Sequence, residues 1–315
     1  MERLSYEVEG RVLHLSHPTE MNITWVGQQD LLQQLLAAWI TFDEKDIPLN
    51  PRIIGKPGVG KTTLAYTAGK SLNRDIYIFQ GTIDTRPEDL IIIPVIDENQ
   101  KIKYAASPLV SAMIKGGICI IDEGNRMSEK SWASLAPLLD QRRYVESVVA
   151  GIKIPAHPDF RVCVTLNEDA STFEIPEYIS SRLAPQIFVD YPEYEEEFRI
   201  IAENVPQAND ELVDYVVSFL QDAHTTQDAF SIRDGINITR YALRLLKNNC
   251  ITGEKKFSIK KKNRKKKIIH LEKEPIKDKK KENEFTSDEL INATIQSIQM
   301  VLGTEATVYF SEEEY

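Results

Sequence analysis

Two short runs carry the residue types and spacing that phosphate chemistry needs. The first, Gly55-Lys56-Pro57-Gly58-Val59-Gly60-Lys61-Thr62, fits the pattern G-x-x-x-x-G-K-[ST] without a mismatch. Its glycines let backbone amides approach an anion closely, Lys61 brings a cation to the β and γ phosphates of a nucleotide, and the Thr62 hydroxyl can ligate magnesium. Apolar Ile53-Ile54 before it reads as a strand, and Thr63-Leu64-Ala65-Tyr66 after it as the start of a helix, so the loop sits where helix N-terminal amides face phosphates. The second run, Ile118-Cys119-Ile120-Ile121-Asp122-Glu123, is an apolar strand ending in two carboxylates. Asp122 is placed to hold magnesium, and Glu123 to take a proton from an attacking water. Alone, such a strand end is commonplace; beside the first run it becomes the second half of a site.

The elements that must position these groups follow from the apolar pattern. Arg52-Ile53-Ile54, Ile76 to Phe79, Ile118 to Ile121 and Val162 to Leu166 read as strands alternating with helical stretches, which predicts an α/β fold with a parallel sheet covered by helices. Helical spacing then takes over in Tyr194 to Ala202, Asn209 to Ala223, Asn237 to Lys247 and Leu290 to Leu302. The expected organisation is an α/β nucleotide-binding core over residues 1–192, with an N-terminal hairpin at Tyr6 to Leu15, and a small all-helical domain over 193–315.

With 315 residues and 42% hydrophobic content the chain can build sizeable cores. Asp and Glu outnumber Lys and Arg by 48 to 38, for a net charge of −10, which argues against a generally basic nucleic-acid binder. The exception is Lys255 to Lys281, with 14 Lys or Arg against 3 acidic residues, which reads as a flexible insertion spanning about 253–284. The longest apolar run, Leu90 to Ile96, contains Pro94 and is far short of a membrane span. Without a signal-peptide stretch at the start, a cytoplasmic location is expected. Cys119 and Cys163 read as buried strand thiols, and with Cys250 they form no C-x-x-C, so neither a disulfide nor a zinc site is expected. The five scattered histidines suggest no metal, and no G-x-S-x-G supports a serine hydrolase. Trp25, Trp39 and Trp132 read as core or interface anchors.

With both motifs in place, the sequence resembles AAA+ ATPases of the MoxR-like branch, which includes NorQ- and CbbQ-type remodelling ATPases and dynein-related AAA domains. The resemblance runs through Asp122-Glu123-Gly124-Asn125-Arg126-Met127, departing at Gly124, where an apolar residue is common, and through Leu135-Ala136-Pro137-Leu138-Leu139-Asp140. Arg161-Val162-Cys163-Val164-Thr165-Leu166-Asn167 is similar to the sensor-1 strand, with Asn167 at its polar end; the plainer alternative is a turn-forming Asn. Tyr178-Ile179-Ser180-Ser181-Arg182-Leu183 resembles the arginine-finger segment, and Phe230-Ser231-Ile232-Arg233-Asp234-Gly235 the sensor-2 helix start. Asp89 to Tyr104 and Arg143 to Ile154 resemble the family's two β-hairpin insertions, or are edge strands that lengthen the sheet.

The resemblance implies an αβα core with a helical lid, ATP and Mg2+ as cofactors, and hydrolysis of the terminal phosphate. It implies Glu123, Asn167, Arg182 and Arg233 as catalytic residues, and Gly55, Lys56, Pro57, Gly58, Val59, Gly60, Lys61, Thr62 and Thr63 around the nucleotide. Thr62 and Asp122 would hold the metal. Arg182 would reach a neighbouring subunit's nucleotide in a ring, typically a hexamer, and Arg126 is a second candidate for such a contact, or a brace for its own loop. A protein client complex, often with a von Willebrand A domain partner, is the expected target. Two other readings stay open on the residues alone: a nucleic-acid motor or loader using the Lys-rich insertion, and a nucleotide-gated scaffold with negligible turnover. GTP is also open, because no base-reading motif stands out.

Overall fold

A computed structural model describes residues 4–23, 25–43, 45–96, 98–168, 173–225, 230–247, 257–259 and 285–312. Almost all of the Lys-rich insertion, and Cys250, lie outside the described residues. The chain divides into two compact units, Met1–Asp190 and Tyr191–Tyr315.

In the first unit the elements run β1 Ser5–Val8, β2 Arg11–His14, α1 Gln29–Trp39, β3 Arg52–Gly55, α2 Lys61–Ser71, β4 Ile76–Gln80, α3 Pro87–Leu90, β5 Ile92–Ile96, β6 Ile102–Ala106, α4 Pro108–Lys115, β7 Ile118–Asp122, α5 Glu129–Leu135, β8 Tyr144–Ser147, β9 Ile152–Pro155, β10 Arg161–Asn167, α6 Glu177–Ser180 and β11 Gln186–Phe188. The central sheet has the order β11-β3-β10-β7-β4, and every pairing in it is parallel. Because a parallel sheet with helices on its faces buries both sides of its inner strands, β10 is buried along its whole length and β7 at every residue but Asp122. Cys119 and Cys163 lie in these strands, and burial raises both thiol pKa values. Trp132, Leu135, Met113, Ile121 and Val164 share the main core with Leu13 of the N-terminal hairpin. Each such side chain contributes about 1.5–3 kcal/mol by leaving water.

The two expected insertions are hairpins: β5 pairs with β6, and β8 with β9, both antiparallel. The first does not stand alone. β2 pairs in parallel with β6, Leu13 opposite Tyr104, so the N-terminal hairpin and the insertion form one four-stranded sheet, β1-β2-β6-β5.

The second unit packs α7 Tyr194–Asn204, α8 Asp210–Thr225, α9 Ile232–Lys247 and α10 Ser287–Leu302 around Ile201, Val216, Leu220, Ile238 and Ile298. It is not entirely helical, because β12 Phe257–Ile259, inside the expected insertion, pairs antiparallel with β13 Phe310–Glu312. The helix expected from Asn237 starts at Ile232, where Ser231 and Asp234 form a reciprocal cap: the Ser231 amide and hydroxyl both donate to Asp234 Oδ2 at 2.8 Å. No helix among the described residues is long and apolar enough to cross a membrane.

Glu197 on α7 is fully buried, with Oε2 accepting from Gln221 Nε2 at 2.8 Å and Oε1 without a partner among the described residues. Burial pushes its pKa from 4.5 up to about 7. A folded state that holds this proton more tightly than the unfolded chain loses stability as pH rises from about 4.5 to about 7, and the loss persists above that. The penalty is on the order of 3 kcal/mol at its limit. Glu197→Gln should therefore raise the thermal midpoint of the helical unit by roughly 5 °C or more at pH 8. The gain should vanish below about pH 3.5, where the carboxyl is protonated in both states. Equal midpoint shifts at both pH values in a melting series would contradict it.

Candidate functional site

Strand β3 ends at Gly55 and α2 begins at Lys61, so the intervening loop lies between a strand end and the N-terminus of an 11-residue helix. Its turn requires left-handed backbone at Gly58, φ 80°, and Gly60, φ 99°, which glycine adopts without strain. The first helical amides have no carbonyl partner of their own and offer donors to an anion. Lys61 Nζ donates to the carbonyls of Gly55 at 2.8 Å and Lys56 at 2.7 Å, which holds the buried ammonium inside the loop.

The two motifs meet directly: Thr62 Oγ1 donates to Asp122 Oδ1 at 2.8 Å. A hydroxyl and a carboxylate joined this way are hard oxygen donors, which fits magnesium rather than zinc or copper. Glu123 follows with φ 53°, a left-handed backbone that costs a non-glycine residue about 1–2 kcal/mol. Strain of this kind gathers at functional sites, where surrounding contacts enforce it. Glu123 Oε1 accepts from Asn167 Nδ2 at 3.0 Å, while Oε2 forms an ion pair with Arg126 Nε at 2.6 Å. Each oxygen keeps a further lone pair for a water proton. Asn167 is fixed by a reciprocal amide contact: Asn125 Nδ2 donates to its carbonyl at 2.8 Å, and its own amide donates to Asn125 Oδ1 at 3.2 Å.

Sequence reading placed Lys61, Thr62, Asp122, Glu123 and Asn167 in one site, and the structure brings these five together. Arg126 pairs with Glu123 of its own chain, as the bracing alternative has it. Arg182 belongs to a different cluster: its Nη1 donates to the Tyr178 carbonyl and its Nε lies 3.5 Å from Asp140 Oδ2. Hydrogen bonding from Arg142 holds the Asp140 carboxyl down at about 2, so it stays charged. Asn50 ties the two parts of this cluster, donating from Nδ2 to both the Leu139 and the Arg182 carbonyls at 3.0 and 3.2 Å. Arg233, in the second unit, is exposed at the start of α9, and Asp234 caps that helix.

Gly124, where the sequence departs from its resemblance, has a packing reason. A Cβ there would lie 2.5 Å from Val164 Cγ1 and 3.0 Å from Trp132 Cζ2, whose indole Nε1 donates to the Gly124 carbonyl at 3.2 Å. The indole occupies the space an apolar side chain would need.

Two residues near the site escaped sequence reading. Trp25 carries its ring against the phosphate loop, Cζ3 lying 3.0 Å from where a Gly60 Cβ would stand, and its amide donates to Thr67 Oγ1 at 3.1 Å. Only its neighbour Gly27 with φ 79°, at the turn into α1, offered a local signal. Thr165, in the middle of β10, is fully buried and bonded to both motif carboxylate residues.

Comparison with known proteins agrees with this geometry. Residues 52–183 match the model of the AAA domain, dynein-related subfamily. An uncharacterized protein of Staphylococcus epidermidis is 29% identical over 208 residues, covering 62% of this chain and 79% of that protein. One of Staphylococcus haemolyticus is 28% identical over 205 residues, covering 61% and 78%. Among solved structures, the Holliday junction branch migration motor RuvB of Thermotoga maritima aligns with a TM-score of 0.50 at 16% identity, covering 71% of this chain and 64% of that one. The A156S mutant of RuvB gives 0.51 at 16% identity, covering 72% and 65%. This chain thus spans just under two thirds of the length of RuvB, and at that identity the likeness shows the fold alone. Residues 52–183 are thus similar to an AAA domain, and the fold is that of a P-loop AAA protein.

Proposed function

We propose that this chain is a magnesium-dependent ATPase of the MoxR-like kind, assembled as a ring, in which hydrolysis drives remodelling or activation of a protein complex. The observation that carries the reading is the hydrogen bond from Thr62 to Asp122, which joins two motifs sixty residues apart at the point where a nucleotide-bound metal would be held. Residues 55–63 would surround the phosphates, Lys61 facing the β and γ groups, with Thr62 and Asp122 holding Mg2+. The bound ion would neutralise charge on the β and γ oxygens. Glu123 takes the proton of the water that attacks the γ-phosphorus, Asn167 keeps the carboxylate aimed, and the bridging bond breaks to leave ADP and phosphate.

The placement of Arg182 supports the ring. Its guanidinium stands with Asp140 in a cluster separate from the Lys61, Asp122 and Glu123 network, and the family resemblance makes it the cation that completes a neighbour's site. Arginine suits that task because its planar fork matches charge spread over phosphoryl oxygens. Arg233 would report nucleotide state to the helical unit. The client is a protein complex, with a von Willebrand A domain protein as the partner to look for, and the cytoplasm is the expected compartment.

A site shared between subunits makes turnover per chain depend on concentration. Phosphate release measured from nanomolar to tens of micromolar chain should rise faster than in proportion and then become linear, with the break matching ring assembly in sedimentation. Constant turnover per chain across that range, from a sedimenting monomer, would overturn the ring.

A further inference from the structure

The Thr165 hydroxyl bonds to both residues on which the reaction depends. Its Oγ1 lies 2.5 Å from Asp122 Oδ1, and the Glu123 backbone amide donates to the same Oγ1 at 3.0 Å. The direction of both bonds is fixed by chemistry: an ionised carboxylate and an amide N–H leave the hydroxyl to donate to the first and accept from the second. Thr165 is fully buried between β3 and β7, opposite Ile53 of β3, so its side chain cannot drift. Within the reach of that one oxygen are the carboxylate proposed to hold the metal and the amide of the strained residue proposed to take the proton.

The geometry points to Thr165 as a positioning residue for hydrolysis, an assignment that rests on the function proposed above. Its donated bond orients the Asp122 carboxylate while leaving Oδ2 and the Thr62 hydroxyl available for the metal. Its accepted bond holds the Glu123 amide in the left-handed turn that carries the carboxylate to Asn167 Nδ2. The spacing of the Asp122 and Glu123 carboxylates is thereby set from the neighbouring strand rather than by the strand that bears them.

Two substitutions separate the hydroxyl from the packing. Thr165→Val keeps shape and strand preference but removes the hydroxyl, whereas Thr165→Ser keeps the hydroxyl and loses a methyl. In Thr165→Val, kcat should fall about 10- to 100-fold, as when an outer partner of a metal-holding group is lost, with KM for ATP within about threefold. The gain in binding of a fluorescent ATP analogue on adding magnesium, read without turnover, should shrink by about tenfold. Thr165→Ser should recover both to within about threefold of the native chain. A Val variant with native kcat and native magnesium dependence would overturn the assignment, as would a Ser variant as impaired as Val, because packing would then be the cause. Glu123→Gln in the same assay separates the two levels of argument. If Glu123→Gln is inactive while Thr165→Val is normal, only the role of Thr165 falls. If Glu123→Gln turns over like the native chain, the reading of the site falls and the role of Thr165 with it.

Discussion

Glu123→Gln should lower steady-state ATP turnover by roughly two to four orders of magnitude, the range spanned by a positioned general base. ATP affinity should stay within about threefold, because the charge lost is already paired with Arg126. The amide remains a good steric and polar substitute: its oxygen can still accept from Asn167 Nδ2, now 3.0 Å from Oε1. What it cannot do is take a proton from water. Phosphate release and nucleotide binding measured on the same preparation check both halves. Turnover above about a tenth of native would place the base elsewhere and remove Glu123 from the mechanism. The same variant, loaded with ATP, should retain its client through purification, because the step that releases it is blocked. A captured protein complex would support remodelling, whereas capture of DNA or RNA alone would favour a nucleic-acid motor.

Much of this site was legible in the sequence because its parts are local. The phosphate loop is one contiguous run, and Asp122-Glu123 follows four apolar residues, Ile118 to Ile121, that announce a buried strand. Such features depend on near neighbours, which sequence spacing reports well. Thr165 was not legible, because its role arises from the register of β10 against β7, where Val164 lies opposite Ile121 and the next residue reaches the carboxylates. A threonine inside an apolar strand looks the same whether or not two acids end the neighbouring one. Trp25 was hidden for a related reason, since its partner Gly60 lies far along the chain and meets it only in the folded state.

The insertions divide along the same line. Alternation and a polar turn disclosed the hairpin of β5 and β6, but its union with the N-terminal hairpin through β2 and β6 rests on two paired positions, Leu13 with Tyr104 and His14 with Ala105, that no periodicity encodes. Gly124 shows the converse case. Its departure from the common apolar residue was visible, and the explanation is three-dimensional, because the Trp132 indole fills the space above it.

Arg182→Ala should lower turnover by about a thousandfold, the smaller end of what an arginine supplied to a neighbour's phosphoryl group contributes. Folding should survive, because the segment is anchored by other bonds: Asn50 holds the Arg182 backbone carbonyl, and Arg52 Nη1 donates to the Ser180 hydroxyl at 2.5 Å. The partner left behind, Asp140, keeps its bidentate contact with Arg142, at 3.0 and 2.8 Å, and is not stranded as an unpaired charge. The decisive measurement is a mixture. A chain carrying Arg182→Ala has an intact Glu123 but nothing to offer its neighbour, whereas a chain carrying Glu123→Gln cannot hydrolyse but still presents Arg182. Each alone should be nearly inactive; together they should form boundaries at which a native Glu123 faces a native Arg182, and turnover should recover to a substantial fraction of native. If Arg182 instead acted within its own chain, no boundary in the mixture would hold both groups in working order, and the rate would stay at the sum of the two variants. Recovery therefore separates a site divided between subunits from one complete in each.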